Sequence, residues 1–228
     1  MARITKNNIA EFQEKLLDWH SLNGRHFFPW RRAGLTTYEL VVAEILLQRT
    51  RAETVSNFYK AFLLEFPSWQ SLANASLSSI EDFLKPIGLY RQRASRLQML
   101  AVEMVKRNGE IPSNRQELES IPFMGQYIAN AVELLVFNQA SPLLDVNMSR
   151  VIERFFRKRM LSDIRYDPYL QKLATKITSH PKSKEMNWAV LDFAAMICKA
   201  HKPLCLMCPL ARKCAYYQAV TMQPEVKS

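Results

Sequence analysis

All four cysteines of the chain lie near its C-terminus, at Cys198, Cys205, Cys208 and Cys214. Thiols at this C-x6-C-x2-C-x5-C spacing can converge on one metal centre, and thiolates are soft ligands that suit zinc or an iron–sulfur cluster. Two disulfides are an alternative. The first ten residues lack the apolar stretch of a secretory signal, so we expect a reducing cytoplasm, where disulfides are rare. A zinc ribbon has two C-x-x-C pairs and this chain has one, so the spacing leaves zinc and an iron–sulfur cluster open.

Two acidic residues stand where a carboxylate could act in catalysis. Asp145 precedes an apolar periodic stretch, and the residues alone favour a helix N-cap there. A carboxylate at that position is also kept ionised, and beneath a sugar it can stabilise an oxocarbenium-like transition state. Glu44 lies among apolar neighbours, where burial would favour its protonated form and suit it to proton donation. A solvent-facing Glu44, or one paired with an arginine, is the alternative.

The elements that must position these residues are predicted to be helices. The chain has only 5 Gly and 11 Pro, fewer than a β-rich fold of this length needs, so the fold class is predicted to be all-α. Apolar residues recur at helical spacing in residues 9–19 and 97–105, and a broader stripe in residues 41–47 predicts a buried helix.

A tight turn is predicted between two further helices. Ser113 with Gln116 predicts a capping box that opens a short helix, Pro122 ends it, and the next helix begins after Gly125. A turn that opens a helix presents free backbone N–H groups, which can hold a DNA phosphate. An ordinary connection between helices is the alternative.

The charge balance predicts a polyanionic partner. Lys and Arg total 31 against 21 Asp and Glu, a net charge of +10, which favours nucleic acid over membrane. Hydrophobic residues make up 48% and charged residues 23%, a globular composition that excludes wholesale disorder. No apolar stretch approaches the roughly 20 residues of a membrane-spanning helix.

The cysteine segment, with its flanking residues 196–198 and 202–209, resembles the [4Fe–4S] loop of the endonuclease III and adenine glycosylase family of DNA repair enzymes. The resemblance implies a [4Fe–4S] cluster held by the four cysteines. Residues 121–129 are similar to the helix-hairpin-helix of that family, L-P-G-V-G-x-x-T-A, except that Phe123 replaces the first glycine. The resemblance implies that Gly125 and Gln126 contact DNA.

Two more motifs carry the resemblance into the candidate catalytic residues. Residues 144–151 resemble the V-D-x-N-x-x-R-V of the family, which implies that Asp145 stabilises the sugar cation and that Asn147 lines the pocket. Residues 41–50 resemble the S-E-x-M-L-Q-Q-T helix of adenine glycosylases. That likeness implies that Glu44 assists the departing base and that Gln48 fills the gap left by a flipped nucleotide.

Tyr127 occupies the place where bifunctional endonuclease III enzymes carry a lysine. That lysine attacks C1′, forms a Schiff base and allows strand cleavage by β-elimination. A tyrosine cannot form the imine, so we expect a monofunctional enzyme without AP lyase activity, with Tyr127 lining the pocket. Tyrosine at this place occurs in some adenine glycosylases and in archaeal thymine–guanine mismatch glycosylases.

Three features favour the archaeal mismatch glycosylases. Residues 87–94 are similar to their I-G-L-x-x-Q-R-A, residues 112–115 are similar to their P-x-N-R, and the chain stops shortly after the cysteines, where adenine glycosylases usually continue into a domain that reads 8-oxoguanine. Against this, Val146 matches neither group. We expect hydrolytic removal of a mismatched thymine or uracil opposite guanine. The alternatives are an adenine DNA glycosylase acting on A opposite G or 8-oxoguanine, and a non-catalytic DNA-binding module.

The resemblance also implies an arrangement and a partner. Residues 30–140 are predicted to form a helical-barrel domain with the helix-hairpin-helix, and residues 1–29 with 141–228 an iron–sulfur cluster domain, with a DNA cleft between them. We expect a monomer that binds double-stranded DNA with a mismatched or damaged base, in the cytoplasm at the nucleoid. The candidate DNA contacts are Gln48, Arg49, Arg91, Gly125 and Gln126, and the further basic candidates are Arg51, Arg93, Arg96 and residues 157–159.

Overall fold

Helices account for all the regular structure in residues 4–221, the part of the chain that the computed structural model describes. The all-α prediction is confirmed, since no β-strand occurs in that range. The α-helices are α1 (Lys6–Asn23), α2 (Thr37–Leu47), α3 (Ala52–Glu65), α4 (Trp69–Asn74), α5 (Leu77–Leu84), α6 (Tyr90–Lys106), α7 (Arg115–Ser120), α8 (Gln126–Leu135), α9 (Val146–Phe155), α10 (Pro168–Thr178), α11 (Ser183–Met196) and α12 (Ala215–Thr221).

Short 3₁₀ turns supplement the helices, at Pro29–Arg31, Lys85–Ile87, Cys205–Met207 and Ala211–Lys213. Two compact units divide the chain. His26–Gln139 form the central unit, and the segment up to Arg25 joins the segment from Ala140 onward to form the terminal unit. Between residues 4 and 221, no helix is both long enough and apolar enough to cross a membrane.

The core of the central unit is built around α2 and α6. The broad apolar stripe of α2 is buried as the sequence predicts, and Val42 and Leu46 are fully enclosed. The stripe of α6 is confirmed as well, because Leu97 and Leu100 are buried where α4 and α5 pack against that helix. Helix α8 packs against α2. Burial of this apolar surface holds α2 and α8 side by side.

In the terminal unit, α1 packs along α11, and α9 packs against α11 as well. Phe12 of α1 is fully buried, and its ring lies 5.0 Å from that of Phe155. A polar cluster joins the end of α1 to α11: the buried carboxylate of Asp192 accepts hydrogen bonds from the backbone N–H and Nε of Arg25, at 2.8 and 2.7 Å. His20 Nε2 lies 3.4 Å from the same carboxylate.

The predicted start of α7 is wrong by one residue. Asn114, not Ser113, is the N-cap, because its side-chain oxygen accepts hydrogen bonds from the backbone N–H groups of Gln116 and Glu117, at 2.9 and 3.1 Å. Both side chains have the short reach of a capping residue, so the sequence pattern does not separate them. The helix itself ends before Pro122, and α8 begins after Gly125, as predicted.

Candidate active site and DNA-contacting loops

Asp145 is the N-cap of α9, as the residues alone predict. Its Oδ1 accepts hydrogen bonds from the backbone N–H groups of Asn147 and Met148, at 2.9 and 2.8 Å, and its Oδ2 accepts one from Asn147 Nδ2 at 2.6 Å. These bonds orient the carboxylate at the positive end of the helix dipole. The cap and the proposed catalytic role therefore use the same geometry.

Burial raises the pKa of Asp145, although its three hydrogen bonds and the nearby charge of Arg150 act in the opposite direction. The carboxylate is partly exposed, and the neighbouring Val146 side chain is 68% exposed. An incompletely solvated carboxylate gains more from a positive charge that develops beside it than a fully hydrated one does. The position therefore suits the stabilisation of a sugar cation.

Arg150 links this catalytic candidate to the cysteine segment. Its Nη1 donates to Asn147 Oδ1 at 3.1 Å, its Nε donates to the Cys198 carbonyl at 2.9 Å, and its Nη2 donates to the Ala194 carbonyl at 3.0 Å. The amide group of Asn147 is therefore held on one side by Asp145 and on the other by Arg150. The sequence motif contains this arginine, but nothing in the sequence assigns it these partners.

The segment that leads to Asp145 is anchored by a buried asparagine of α11. Asn187 Oδ1 accepts a hydrogen bond from the Leu143 N–H at 2.7 Å, and its Nδ2 donates to the Ser141 carbonyl at 3.2 Å. The Leu143 N–H lies in the interior, where an unpaired backbone group would be costly. Sequence reasoning missed this residue because an isolated Asn in a helix carries no signal of its partners.

The four cysteines lie close enough to one another for their charges to interact. Burial raises the pKa of Cys208 to about 11, and repulsion from the thiolates of Cys198, Cys205 and Cys214 adds to that rise. Two 3₁₀ turns shape the segment, with the Cys208 N–H bonded to the Cys205 carbonyl at 3.2 Å. Four neighbouring thiols form a soft donor set. Within the described range, no group of three or more His, Cys, Asp or Glu side chains is arranged for a single metal ion.

Arg154 also holds the cysteine segment. Its Nη1 lies 3.5 Å from Cys198 Sγ and donates to the Lys199 carbonyl at 2.7 Å, and its own carbonyl accepts a contact from Cys214 Sγ at 3.3 Å. A guanidinium beside a cysteine sulfur stabilises negative charge on that sulfur.

In the central unit, Glu44 is buried on α2 and only 5% exposed, which contradicts the solvent-facing alternative. The Tyr127 hydroxyl, at the start of α8, donates a hydrogen bond to Glu44 Oε2 at 3.2 Å. Apolar side chains of α2 and α8, including Val41 and Ile128, surround Glu44 in a shallow recess. The packing of the two helices therefore brings together two of the catalytic candidates, which are distant in sequence.

The interpretation of Arg93 as a phosphate contact is wrong. The side chain is buried, 4% exposed, and its guanidinium donates to the carbonyls of Gln48, Ile87 and Gly88 and to Thr50 Oγ1. A guanidinium saturated by protein acceptors is not available to DNA. Sequence reasoning missed this role because an arginine in a basic stretch gives no sign of which way it points.

The other basic candidates differ in their surroundings. The exposed ones are Arg49, Arg51 and Arg91 in the central unit and Lys158 in the terminal unit. In the terminal unit, the Arg157 guanidinium lies 3.7 Å from the ring centre of Tyr169, and Arg159 forms an ion pair with Glu153 at 3.1 Å. The exposed arginines of the central unit are therefore better placed to meet a phosphate than the two terminal-unit side chains, which already have partners.

The hairpin keeps a glycine-like backbone at Phe123. Its φ is 66°, in the left-handed region, and its ring is 38% exposed with the Arg96 guanidinium 5.6 Å from its centre. For a residue with a side chain this conformation costs about 1–2 kcal/mol. The turn that precedes α8 therefore has the shape that the missing glycine would give.

Gly125 is not required by the fold. It is the N-cap of α8 with φ −63° and ψ 172°, an ordinary extended conformation, and a Cβ there would meet nothing within 4 Å. A glycine without a conformational or packing reason is explained by close approach of a ligand to the backbone. The backbone N–H groups at a helix N-terminus suit a phosphate.

We therefore expect Gly125→Ala to leave the melting temperature unchanged or slightly raised, because the backbone is ordinary and alanine restricts the unfolded chain. Binding to duplex DNA should weaken by about 10-fold, the loss of one charge-assisted hydrogen bond. Fluorescence anisotropy with a labelled duplex measures the affinity. An unchanged affinity would show that no phosphate approaches this backbone.

Comparison with known proteins gives a consistent set of matches. Residues 42–176, which include all four catalytic candidates, match a family model described as HhH-GPD superfamily base excision DNA repair protein. A thymine/uracil-DNA glycosylase of Pyrobaculum aerophilum is 37% identical, over 92% of this chain and 94% of its own length. A thymine-DNA glycosylase of Aeropyrum pernix is 34% identical, over 95% and 99%.

Among solved structures, the chain is similar to a thermostable thymine-DNA glycosylase, with a TM-score of 0.85 and 30% identity. The match covers 93% of this chain and 98% of that one. The family resemblance identified from the sequence motifs is thereby confirmed.

Proposed function

Because the chain belongs to the HhH-GPD superfamily of base excision DNA repair proteins, we propose that it is a DNA glycosylase that removes thymine or uracil mismatched with guanine. The relatives named for these substrates match over nine-tenths of the chain, which supports the choice of base. The observation that carries the chemistry is the Asp145 carboxylate, held by three hydrogen bonds at the start of α9.

In the proposed reaction, the target nucleotide is flipped out of the duplex, and a mismatched base is easier to extrude than a paired one. Gln48 fills the space left in the stack, while Arg49, Arg91, Gly125 and Gln126 bind the DNA. The C1′–N1 bond breaks with its electron pair on the base. Water adds to C1′ and its proton passes to the base anion, which leaves an abasic site and the free neutral base.

Asp145 acts on the sugar in this proposal. As the bond to the base lengthens, positive charge develops on C1′ and the ring oxygen, and an oriented carboxylate stabilises it without further reorganisation. Asn147 supports the carboxylate through its 2.6 Å hydrogen bond. Because this support is already in place in the free protein, the carboxylate is preorganised for the transition state.

Glu44 and Tyr127 act on the base. Thymine or uracil departs as an anion with charge on its carbonyl oxygens, so an ionised Glu44 would repel it, whereas a protonated Glu44 or a bridging water would donate a hydrogen bond. Adenine departs more easily when N7 is protonated, which is a direct use for an acid. The two leaving groups therefore make different demands on Glu44.

We accordingly expect Glu44→Gln to slow thymine or uracil release by about 10-fold or less, because glutamine still donates a hydrogen bond. An enzyme that uses Glu44 to protonate adenine would lose about 10²- to 10⁴-fold. Tyr127→Phe, which removes the 3.2 Å contact to Glu44, is the matched variant and should show a smaller loss. Single-turnover rates measure both, and a loss above about 10²-fold on T·G would contradict this account.

The decisive experiment is a panel of duplexes containing T·G, U·G, A·G or A·8-oxoguanine, with T·A as the paired control. We expect release of thymine and uracil opposite guanine and no release of adenine. Robust adenine release with an inert T·G duplex would favour the adenine glycosylase instead.

Strand cleavage in each reaction is measured before and after treatment with hot alkali. Nicking before alkali would contradict the proposal that the enzyme lacks lyase activity, which rests on Tyr127 having no amine.

We propose that Cys198, Cys205, Cys208 and Cys214 ligate a [4Fe–4S] cluster. The proposal is supported by the spacing of the four cysteines in the sequence and by the Arg154 guanidinium beside Cys198 Sγ. Bound there, the cluster would hold the segment after α11 in shape. Iron and sulfide analysis with a visible absorption spectrum tests this, and zinc without iron would contradict it.

The remaining parts of the proposal concern organisation. We propose that the central unit, His26–Gln139, is the helix-hairpin-helix domain predicted in residues 30–140, and that the terminal unit is the iron–sulfur domain predicted in residues 1–29 and 141–228. We also propose a monomer that acts on double-stranded DNA at the nucleoid. Sedimentation of the protein with and without a T·G duplex tests the monomer. A dimer in both conditions would overturn that part.

A further inference from the structure

Two neighbouring loops of the central unit hold left-handed backbone conformations. The loop after α2 contains Arg49 at φ 57°, and the loop before α6 contains Gly88 at φ 71° and Leu89 at φ 52°. Left-handed residues other than glycine cost about 1–2 kcal/mol each. Such strain persists only where the surrounding structure imposes it, and it clusters at functional sites.

The side chain of Arg93, in the first turns of α6, joins these two loops. Its Nη2 donates to the Gln48 carbonyl at 2.8 Å and to Thr50 Oγ1 at 2.7 Å. Its Nη1 donates to the carbonyls of Ile87 and Gly88, at 3.1 and 2.9 Å. One rigid guanidinium therefore satisfies acceptors on both sides, and its planar fork fixes the distance between the loops.

We propose that Arg93 is a positioning residue that holds the loop after α2, which begins at Gln48, in the one arrangement from which the Gln48 side chain enters the base stack. The proposal rests on the proposed function, in which Gln48 fills the gap left by the flipped nucleotide. Arg93 touches neither base nor sugar and acts only through the loop.

The contacts explain why this single side chain matters. Gln48 is the C-cap of α2, and the position of its backbone determines the direction of its side chain. Within the described residues its side-chain amide makes no hydrogen bond of its own, so it is available for DNA. If Arg93 is removed, three carbonyls lose a charged donor and the strained loop can relax. Insertion of the Gln48 side chain into the base stack then requires the loop to be ordered again in each binding event.

The test uses Arg93→Met, which keeps the aliphatic stem and removes every donor. The matched control is Arg107→Met at the other end of α6, where Arg107 pairs only locally with Glu103. With 2-aminopurine next to a T·G mismatch, we expect Arg93→Met to lose most of the fluorescence rise that reports unstacking, and Arg107→Met to keep it. Thymine release should fall by about 10-fold in the first variant alone.

A double-mutant cycle with Gln48→Ala distinguishes positioning from general support. If Arg93 acts through Gln48, substitution of Arg93 lowers the rate of thymine release only slightly in the Gln48→Ala background. The effects of residues that act as one unit are not additive. Additive losses, or a full fluorescence rise in Arg93→Met, would overturn the proposal. Should the wild-type protein release no base, the proposed function fails, while the fluorescence experiment still decides the role of Arg93.

Thr50→Val provides a second variant in case Arg93→Met does not fold. It removes one acceptor, 2.7 Å from Arg93 Nη2, and leaves the guanidinium in place. We expect a smaller loss of the same kind, in unstacking and in thymine release together. A change in melting temperature with an unaltered fluorescence rise would show a structural role only and would overturn the proposal.

Discussion

Replacement of Asp145 by asparagine should reduce thymine release from a T·G duplex by about 10³-fold or more. The variant removes the negative charge that stabilises the sugar cation, and a preorganised electrostatic group of this kind contributes about 10²- to 10³-fold even when it is a neutral donor. The fold should survive, because asparagine caps helices as well as aspartate does. Single-turnover kinetics measure the rate, and anisotropy checks that duplex binding remains.

The pH dependence of the melting temperature provides a control for this variant. Burial raises the pKa of Asp145 above its unfolded value, so the folded state binds the proton more tightly than the unfolded state does. The stability from this group is therefore fully present below the unfolded pKa and is lost as the pH rises through the folded pKa. We expect Asp145→Asn to melt higher than wild type at neutral pH, with a difference that narrows in acid.

The raised pKa also sets the pH below which kcat/KM falls, because only ionised Asp145 is active. We expect this fall at a pH above the ordinary pKa range of an aspartate. A variant with the wild-type rate would contradict the catalytic role and would favour the non-catalytic DNA-binding module.

Arg150→Met should be the second most damaging change. It removes the donors to Asn147 Oδ1 and to the carbonyls of Cys198 and Ala194. Each acceptor is partly buried, and a buried acceptor that loses its donor costs about 1–3 kcal/mol, so we expect a total loss of about 2–4 kcal/mol in unfolding free energy. Base release should fall by about 10²-fold, because the support of Asn147 and Asp145 is lost. Thermal melting and single-turnover kinetics measure the two effects.

Arg154→Met is the matched control for this prediction. Arg154 lies one turn later on α9 and holds the same cysteine segment, but its contacts are to Cys198, Lys199 and Ala200 rather than to Asn147. We expect it to lower stability without a comparable loss of rate in protein that remains folded. Equal rate losses in both variants would show that Arg150 acts only by supporting the cysteine segment. Arg150→Lys should not restore activity, because an ammonium group cannot span three acceptors.

The features that depend only on the local order of residues could be predicted from the sequence. The apolar stripe of α2, the Asp145 cap and the start of α8 after Gly125 follow from spacing that a helix imposes on its own residues. The four cysteines were recognisable because they bunch in a short segment. Family motifs then identified the catalytic candidates residue by residue, since each motif is contiguous.

The directions of the long polar side chains could not be predicted in this way, because they depend on how the helices pack. Arg93 and Arg91 are two positions apart in one basic stretch, yet Arg93 is buried among loop carbonyls and Arg91 is exposed. The contacts of Arg150 with Cys198 and of Tyr127 with Glu44 join residues far apart in sequence. An arginine or tyrosine reaches several ångströms from its backbone, so its partner is set by the packing of helices and not by its neighbours along the chain.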